Sequence, residues 1–324
     1  MTTQTVAPPA SSPASSLATS LQPFPQTLVI AERLRALWPE HQRYLETRFR
    51  VIDPAFEARV NDLAQLALKV IGDELDGYCA DYRWMCDAFL DEEIYFRRHG
   101  TYRLSTFADT YEQVYSRPEI MGKYVRGILI SQIIWEPHAR AFDFFRTGFL
   151  SAAPAAAKYL EVGPGHGLFL YFASQVTQID RLEAWDVSQS SIAETQHALK
   201  TLGATRPITI IEQDVLVAPS RHDEFDLAII SEVLEHLERP DLALKSLYAA
   251  LKPGGRIFIN APVNSPAPDH IYNWDSTDDF SRFVTDQGFE IEQTQLFPVT
   301  GASIELAQRK KLSISCVVIA RKPQ

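Results

Sequence analysis

Long apolar runs, paired cysteines and early charge are all scarce in this chain of 324 residues. No run of about eighteen apolar residues occurs, so nothing in the sequence reads as a membrane-spanning helix. The three cysteines, Cys79, Cys86 and Cys316, are odd in number and lack a paired short spacing. That excludes a disulfide framework or a cysteine zinc site and points to packing residues in a reducing cytoplasm. Residues 1–26 carry no charged side chain and are rich in Ser, Thr, Ala and Pro. Without a basic start or a continuous apolar core they are not a secretory signal, and without Arg they lack the mark of a transit peptide. With so little to bury, residues 1–26 are expected to form a disordered tail. A strong basic face is missing too. Net charge is −10, carried mostly by the second half of the chain, whereas nucleic acid binding needs cations to replace condensed counterions. The triplet Arg309-Lys310-Lys311 reads as solvated loop, so nucleic acid is not an expected partner.

What is present divides in two. Residues 27–150 show helical spacing, as in Leu28, Ile30, Leu34 and Leu37, and are dense in aromatics between Tyr78 and Tyr124. This segment is expected to be an all-helical cap whose aromatics are mostly core, with a minority lining a substrate pocket. Residues 151–324 alternate short apolar runs with helical stretches. Strands are expected at Tyr159–Val162, Leu182–Asp186, Ile208–Ile211, Phe225–Ser231, Arg256–Ala261, Phe289–Thr294 and Ser313–Ala320. Between them fall helices at Ser188–Leu202, Pro240–Leu251 and Ser276–Gln287. The fold class implied is α/β, a Rossmann-like, seven-stranded, mostly parallel sheet with helices on both faces.

The chemistry-bearing residues gather at the carboxyl ends of these strands, where open α/β sheets bind ligands. Glu161-Val162-Gly163-Pro164-Gly165-His166-Gly167 follows the first strand, and its glycines permit a tight turn with backbone amides close to a ligand. Asp186, with Val187 beside it, closes the second strand about twenty residues on, where a carboxylate accepts from ribose hydroxyls. Gln213-Asp214-Val215 follows the third strand, placed to meet an adenine, and Ser231 closes the fourth.

Together with Leu251-Lys252-Pro253-Gly254-Gly255, this series resembles the motifs of class I S-adenosylmethionine-dependent methyltransferases over residues 157–320. The resemblance implies S-adenosylmethionine as cofactor, with Glu161 near the methionine amino group, Asp186 on the ribose and Asp214 near the adenine. Glu161 before the glycines and the Lys-Pro-Gly-Gly turn favour this over a nicotinamide-dependent oxidoreductase.

After the fourth strand comes Ser231-Glu232-Val233-Leu234-Glu235-His236-Leu237. If a helical turn begins there, Glu232, Glu235 and His236 share one face. The pattern resembles metal-dependent O-methyltransferases, including ubiquinone-pathway enzymes and small-RNA 3′-terminal 2′-O-methyltransferases, in which a later histidine completes the site; here that is His270. Magnesium or manganese is the implied ion, and imidazole suits manganese better. Alternatively His236 or His270 serves as general base with no metal, or the turn is structural. His138 is an outlying candidate, and His166 is expected to cover the cofactor.

The expected activity is methyl transfer to a small-molecule acceptor, first to an oxygen of a secondary metabolite or a quinone- or phenol-like compound. N- or C-methylation in a natural-product pathway, isoprenoids included, is the alternative. A cofactor-binding protein without turnover and an RNA 2′-O-methyltransferase are the further readings, the latter opposed by the acidic charge. A homodimer is allowed by the sequence, not required.

Overall fold

A computed structural model describes residues 16–324. Its centre is a seven-stranded sheet, β1 (Ala157–Val162), β2 (Ile179–Asp186), β3 (Ile208–Glu212), β4 (Phe225–Ser231), β5 (Leu251–Val263), β6 (Glu290–Pro298) and β7 (Ile314–Arg321). The spatial order is β3-β2-β1-β4-β5-β7-β6. The first five strands pair in parallel, and β7 runs antiparallel between β5 and β6. The strand order reverses between β1 and β4, which opens a crevice at their carboxyl ends.

The central strands read as continuous apolar runs because both faces are covered. Leu227 and Ile229 of β4, Phe258 of β5 and Val317 and Ile319 of β7 face one core. Their neighbours Ala228, Ile230, Ile257, Ile259 and Val318 face the other. That alternation is the two-residue period of a strand.

The N-terminal helices cover the first of these faces. Phe145 and Phe149 pack on Phe258 with ring centroids 5.4 and 5.7 Å apart, and Phe142 meets Phe169 at 4.3 Å. Cap and sheet therefore share one core across residues 150–151, and the cap is fixed to the sheet by aromatic burial. A buried Arg48–Glu57 ion pair, 2.6 Å, holds helix Gln42–Arg48 to helix Pro54–Ile71 inside the cap.

Two expectations need correction. The tail expected over residues 1–26 is folded from Ser16: helix Ser16–Leu21 leads into helix Pro25–Leu37, and Leu17, Leu21 and Phe24 are buried. The lack of charge concealed an apolar face recurring at four- and three-residue steps. Residues 1–15 of that expected tail lie outside the described residues. Arg309 and Lys310 belong to helix Ile304–Lys310, started by Ser303 accepting from the Leu306 amide, not to a loop. Carbonyls of Lys310 and Lys311 accept from Arg97 at 2.7 and 2.9 Å, tying the cap to this end of the sheet. Among the described residues no helix is long and apolar enough to cross a membrane.

Candidate active site

A cavity of about 1060 Å³ lies between the cap and the carboxyl ends of β1, β2, β4 and β5. Its sheet side is built by the glycine turn. Gly163, Gly165 and Gly167 all have positive φ. At Gly163 a Cβ would stand 2.7 Å from Val233 Cγ2, so glycine is required both by conformation and by the approach of the β4 loop.

Glu161, at the end of β1, is 2% exposed and accepts 2.8 Å from the Tyr159 hydroxyl. Burial pushes its carboxyl up to about 8. Asp186, at the end of β2, accepts from the Ser188 amide at 2.8 Å and the Ser191 hydroxyl at 2.6 Å, and burial raises it despite those donors. Val187, half exposed, lines the cavity beside it, as does Ser231 at the end of β4.

Not every expected residue arrives. Gln213, Asp214 and Val215 lie outside the cavity wall, and Glu212 lines it instead. The reason is local: β3 ends at Glu212, and Asp214 turns back to accept from the Leu216 amide at 2.8 Å. Gly167 also stands behind the wall, capping helix Leu168–Ser174. His166 lines the cavity as expected, its Nδ1 accepting from the Leu168 amide.

The second group lies beyond the cofactor turn. The segment after β4 forms only a short 3-10 turn, Leu234–His236, and Glu232 sits before it with φ +53. The shared helical face expected for Glu232, Glu235 and His236 does not form. Glu232 instead accepts 2.9 Å from Asn260 Nδ2 and is not part of the metal-ligand cluster. Glu235, His236 and His270 do come together, with one ligand atom from each inside a 4.8 Å span. His236 Nδ1 faces the Asp269 carbonyl at 3.0 Å, and His270 Nδ1 faces the Ser265 carbonyl at 2.6 Å. A carbonyl only accepts, so both rings carry their proton on Nδ1 and leave the Nε2 lone pair free. Those Nε2 atoms lie 3.7 and 4.0 Å from Glu235 Oε1.

Glu235 is fully buried, and neither of its carboxylate oxygens has a hydrogen-bond partner among the described residues. Burial, and then the nearby Glu232 carboxylate, raise its carboxyl well above the ordinary range. A buried acid beside Glu232 that faces two imidazole lone pairs makes a donor set of the kind that holds a divalent cation. Ligand atoms about 2.1 Å from one ion sit roughly 3 to 3.5 Å apart, so modest contraction would close the set. Manganese, iron or zinc suits this nitrogen-containing set better than magnesium.

Asp269, in the loop after β5 that also carries His270, and two cap tyrosines complete the site. Asp269, 1% exposed, accepts from the Tyr115 hydroxyl at 3.2 Å and the Tyr124 hydroxyl at 3.1 Å. Its Oδ2 is also 3.3 Å from His236 Nδ1. Two cap phenols thus fix a carboxylate that in turn orients His236. Tyr115 ends a π-helical turn, Tyr111–Tyr115, a local irregularity that no periodicity announces. His138 also lines the cavity, half-buried, its Nδ1 2.9 Å from Ser131 Oγ, and desolvation pushes it down to about 4.

The doubly wound sheet, the glycine turn after β1 and the acids closing β1 and β2 make a Rossmann-like ligand-binding edge. Residues 138–294 match a family model described as a methyltransferase domain, and the chain carries that domain. It is similar to the ubiquinone/menaquinone biosynthesis C-methyltransferase UbiE of Haemophilus ducreyi, 29% identical over 121 residues, covering 36% of this chain and 46% of that protein. The UbiE of Pseudoalteromonas translucida is 24% identical over 170 residues, 52% of this chain and 62% of its own length. The chain thus spans about half the length of the curated relatives it matches. Among solved structures it is similar to the N-methyltransferase NodS of Bradyrhizobium japonicum in complex with S-adenosyl-l-homocysteine, with 19% identity and a TM-score of 0.44, covering 57% of this chain and 87% of that one.

Proposed function

We propose that this chain transfers the methyl group of S-adenosylmethionine to an oxygen of a small-molecule acceptor. One observation carries this reading: a single cavity joins the Glu161–Asp186 end to His236 and His270. Glu161 pairs with the methionine ammonium, and Asp186 accepts from the ribose hydroxyls. The glycine turn lets the backbone approach the methionine end of the cofactor.

An acceptor hydroxyl held near His236 Nε2 gives up its proton there as the oxygen forms a bond to the methyl carbon. The carbon–sulfur bond breaks, and neutral S-adenosylhomocysteine remains. Asp269 holds His236 in the required tautomer and stabilises the imidazolium that forms. Burial pushes His270 down to about 3, so it stays neutral and serves as acceptor or ligand. The cap excludes water from the reactive sulfonium. In place of a histidine base, Glu235, His236 and His270 would hold a divalent cation. Such an ion lowers the pKa of a bound hydroxyl and orients it.

C-methylation of a quinol-like ring is the second reading, motivated by the similarity to the UbiE C-methyltransferases. Incubation with methyl-labelled cofactor and a panel of phenols and quinols, with products fragmented by mass spectrometry, separates oxygen-linked from carbon-linked methyl groups. Failure of the protein to bind S-adenosylhomocysteine in calorimetry would refute both readings. Manganese binding followed by electron paramagnetic resonance tests the cation: stoichiometric binding should be lost in Glu235→Ala and His236→Ala. No binding by the wild type leaves the histidine base alone.

A further inference from the structure

Charge in the cavity wall is one-sided. Among the described residues no Lys or Arg lines it, while Glu93, Glu161, Asp186, Glu212, Glu232 and Asp269 do. Residues 1–15 contain no Lys or Arg side chain. The wall also carries His41, His138, His166, His236 and His270, and an imidazole is not a permanent cation.

Proteins recognise phosphate, sulfate and carboxylate chiefly through Arg, Lys or clustered backbone amides. An anion entering this chamber would lose water against an acid-rich wall, with no Lys or Arg side chain in it to answer the charge. The positive charge of the cofactor is answered by Glu161. Away from the cofactor turn the wall becomes aromatic: Phe89 lies 5.5 Å from Trp135, 6.1 Å from Tyr124 and 6.5 Å from His270, centroid to centroid. A flat apolar body stacked there would present its oxygen beside the imidazoles.

We infer, building on the proposed methyl transfer, that the acceptor is an uncharged or cationic aromatic alcohol or phenol bearing no phosphate, sulfate or carboxylate. As acceptors, phosphorylated compounds, acyl-coenzyme A thioesters and free aromatic acids are excluded by the same wall. Glu93 marks its outer part: it is partly exposed and pairs with Arg97 at 2.6 Å.

The test titrates the full chain, loaded with S-adenosylhomocysteine at pH 7.5, with methyl caffeate and with caffeate. These share one catechol ring and differ by a single negative charge. The ester should bind at least about tenfold more tightly, and Glu93→Lys should narrow that ratio by strengthening caffeate binding. Caffeate binding as tightly as the ester, or no binding of the ester, would overturn the inference. If S-adenosylhomocysteine itself does not bind, the proposed function fails. The same pair titrated into unloaded protein then decides the charge preference separately.

Discussion

Glu161→Gln should make the cofactor-free protein more stable at pH 8 while weakening its hold on the cofactor. The wild-type carboxyl ionises near 4.5 when exposed and near 8 in the folded chain. Its folded pKa is raised, so between those values the unfolded chain has released a proton that the folded chain retains. Stability therefore falls as pH rises through this window and is unaffected by this group below it. At about 1.4 kcal/mol per pH unit, most of the window amounts to roughly 3 kcal/mol by pH 7 and about 4 kcal/mol by pH 8. The amide of the Glu161→Gln variant cannot ionise and still offers the Tyr159 hydroxyl an acceptor. The other buried carboxyls titrate alike in both proteins and cancel in the comparison. For a chain of this size the difference corresponds to a Tm gain of about 5–10 °C at pH 8, shrinking to a degree or two at pH 5. Differential scanning fluorimetry from pH 5 to 8 measures it directly. Excess S-adenosylhomocysteine should reverse the order at pH 8, because only the wild type gains the ammonium partner. Equal Tm values at pH 8, or a difference independent of pH, would refute burial as the cause of the shift.

The same ionisation should make S-adenosylhomocysteine bind tens-fold more tightly at pH 8 than at pH 6, a trend that calorimetry should find flattened in Glu161→Gln. Gly163→Ala should lower cofactor affinity at least about tenfold, since its Cβ meets Val233 Cγ2 at 2.7 Å. Adding Val233→Ala should recover part of that loss and leave the positive-φ strain, as titration of the double variant would show. Replacing Tyr115 and Tyr124 together by Phe strips Asp269 of both phenol donors. We expect a loss of about 2–4 kcal/mol in denaturant unfolding and a fall in kcat larger than any rise in KM. Phe258→Ala should cost about 3–5 kcal/mol by the same measurement, because that ring joins cap and sheet through Phe145 and Phe149.

Strand β4 and helix Gln189–Leu202 were legible because their signals are local: an apolar run, and a Ser188 cap followed by a Gly203 stop. The glycine turn, Glu161 and Asp186 were legible for a related reason. Strand ends fix where a side chain emerges, and parallel topology brings successive carboxyl ends to one edge. Where local pattern was weak, the reading slipped. The uncharged N-terminal stretch looked unstructured although Leu17, Leu21 and Phe24 find partners in the cap. Glu232 and Asp214 were placed by motif position, and in the fold each accepts from a nearby donor, Asn260 and the Leu216 amide, that the motif does not show.

Residue order is therefore enough for the α/β class, the mostly parallel sheet with its ligand-binding edge, and the acids at the cofactor end. Those follow from period, caps and turn chemistry, all written within a few residues of one another. At the other end, His270 could be assigned to Glu235, 35 positions away, only through the family resemblance, and that Tyr115 and Tyr124 reach Asp269 across 154 and 145 positions is a matter of long-range packing. Contacts at such separation are set by how the cap packs on the sheet, through Phe142, Phe145 and Phe149, and no local spacing encodes them.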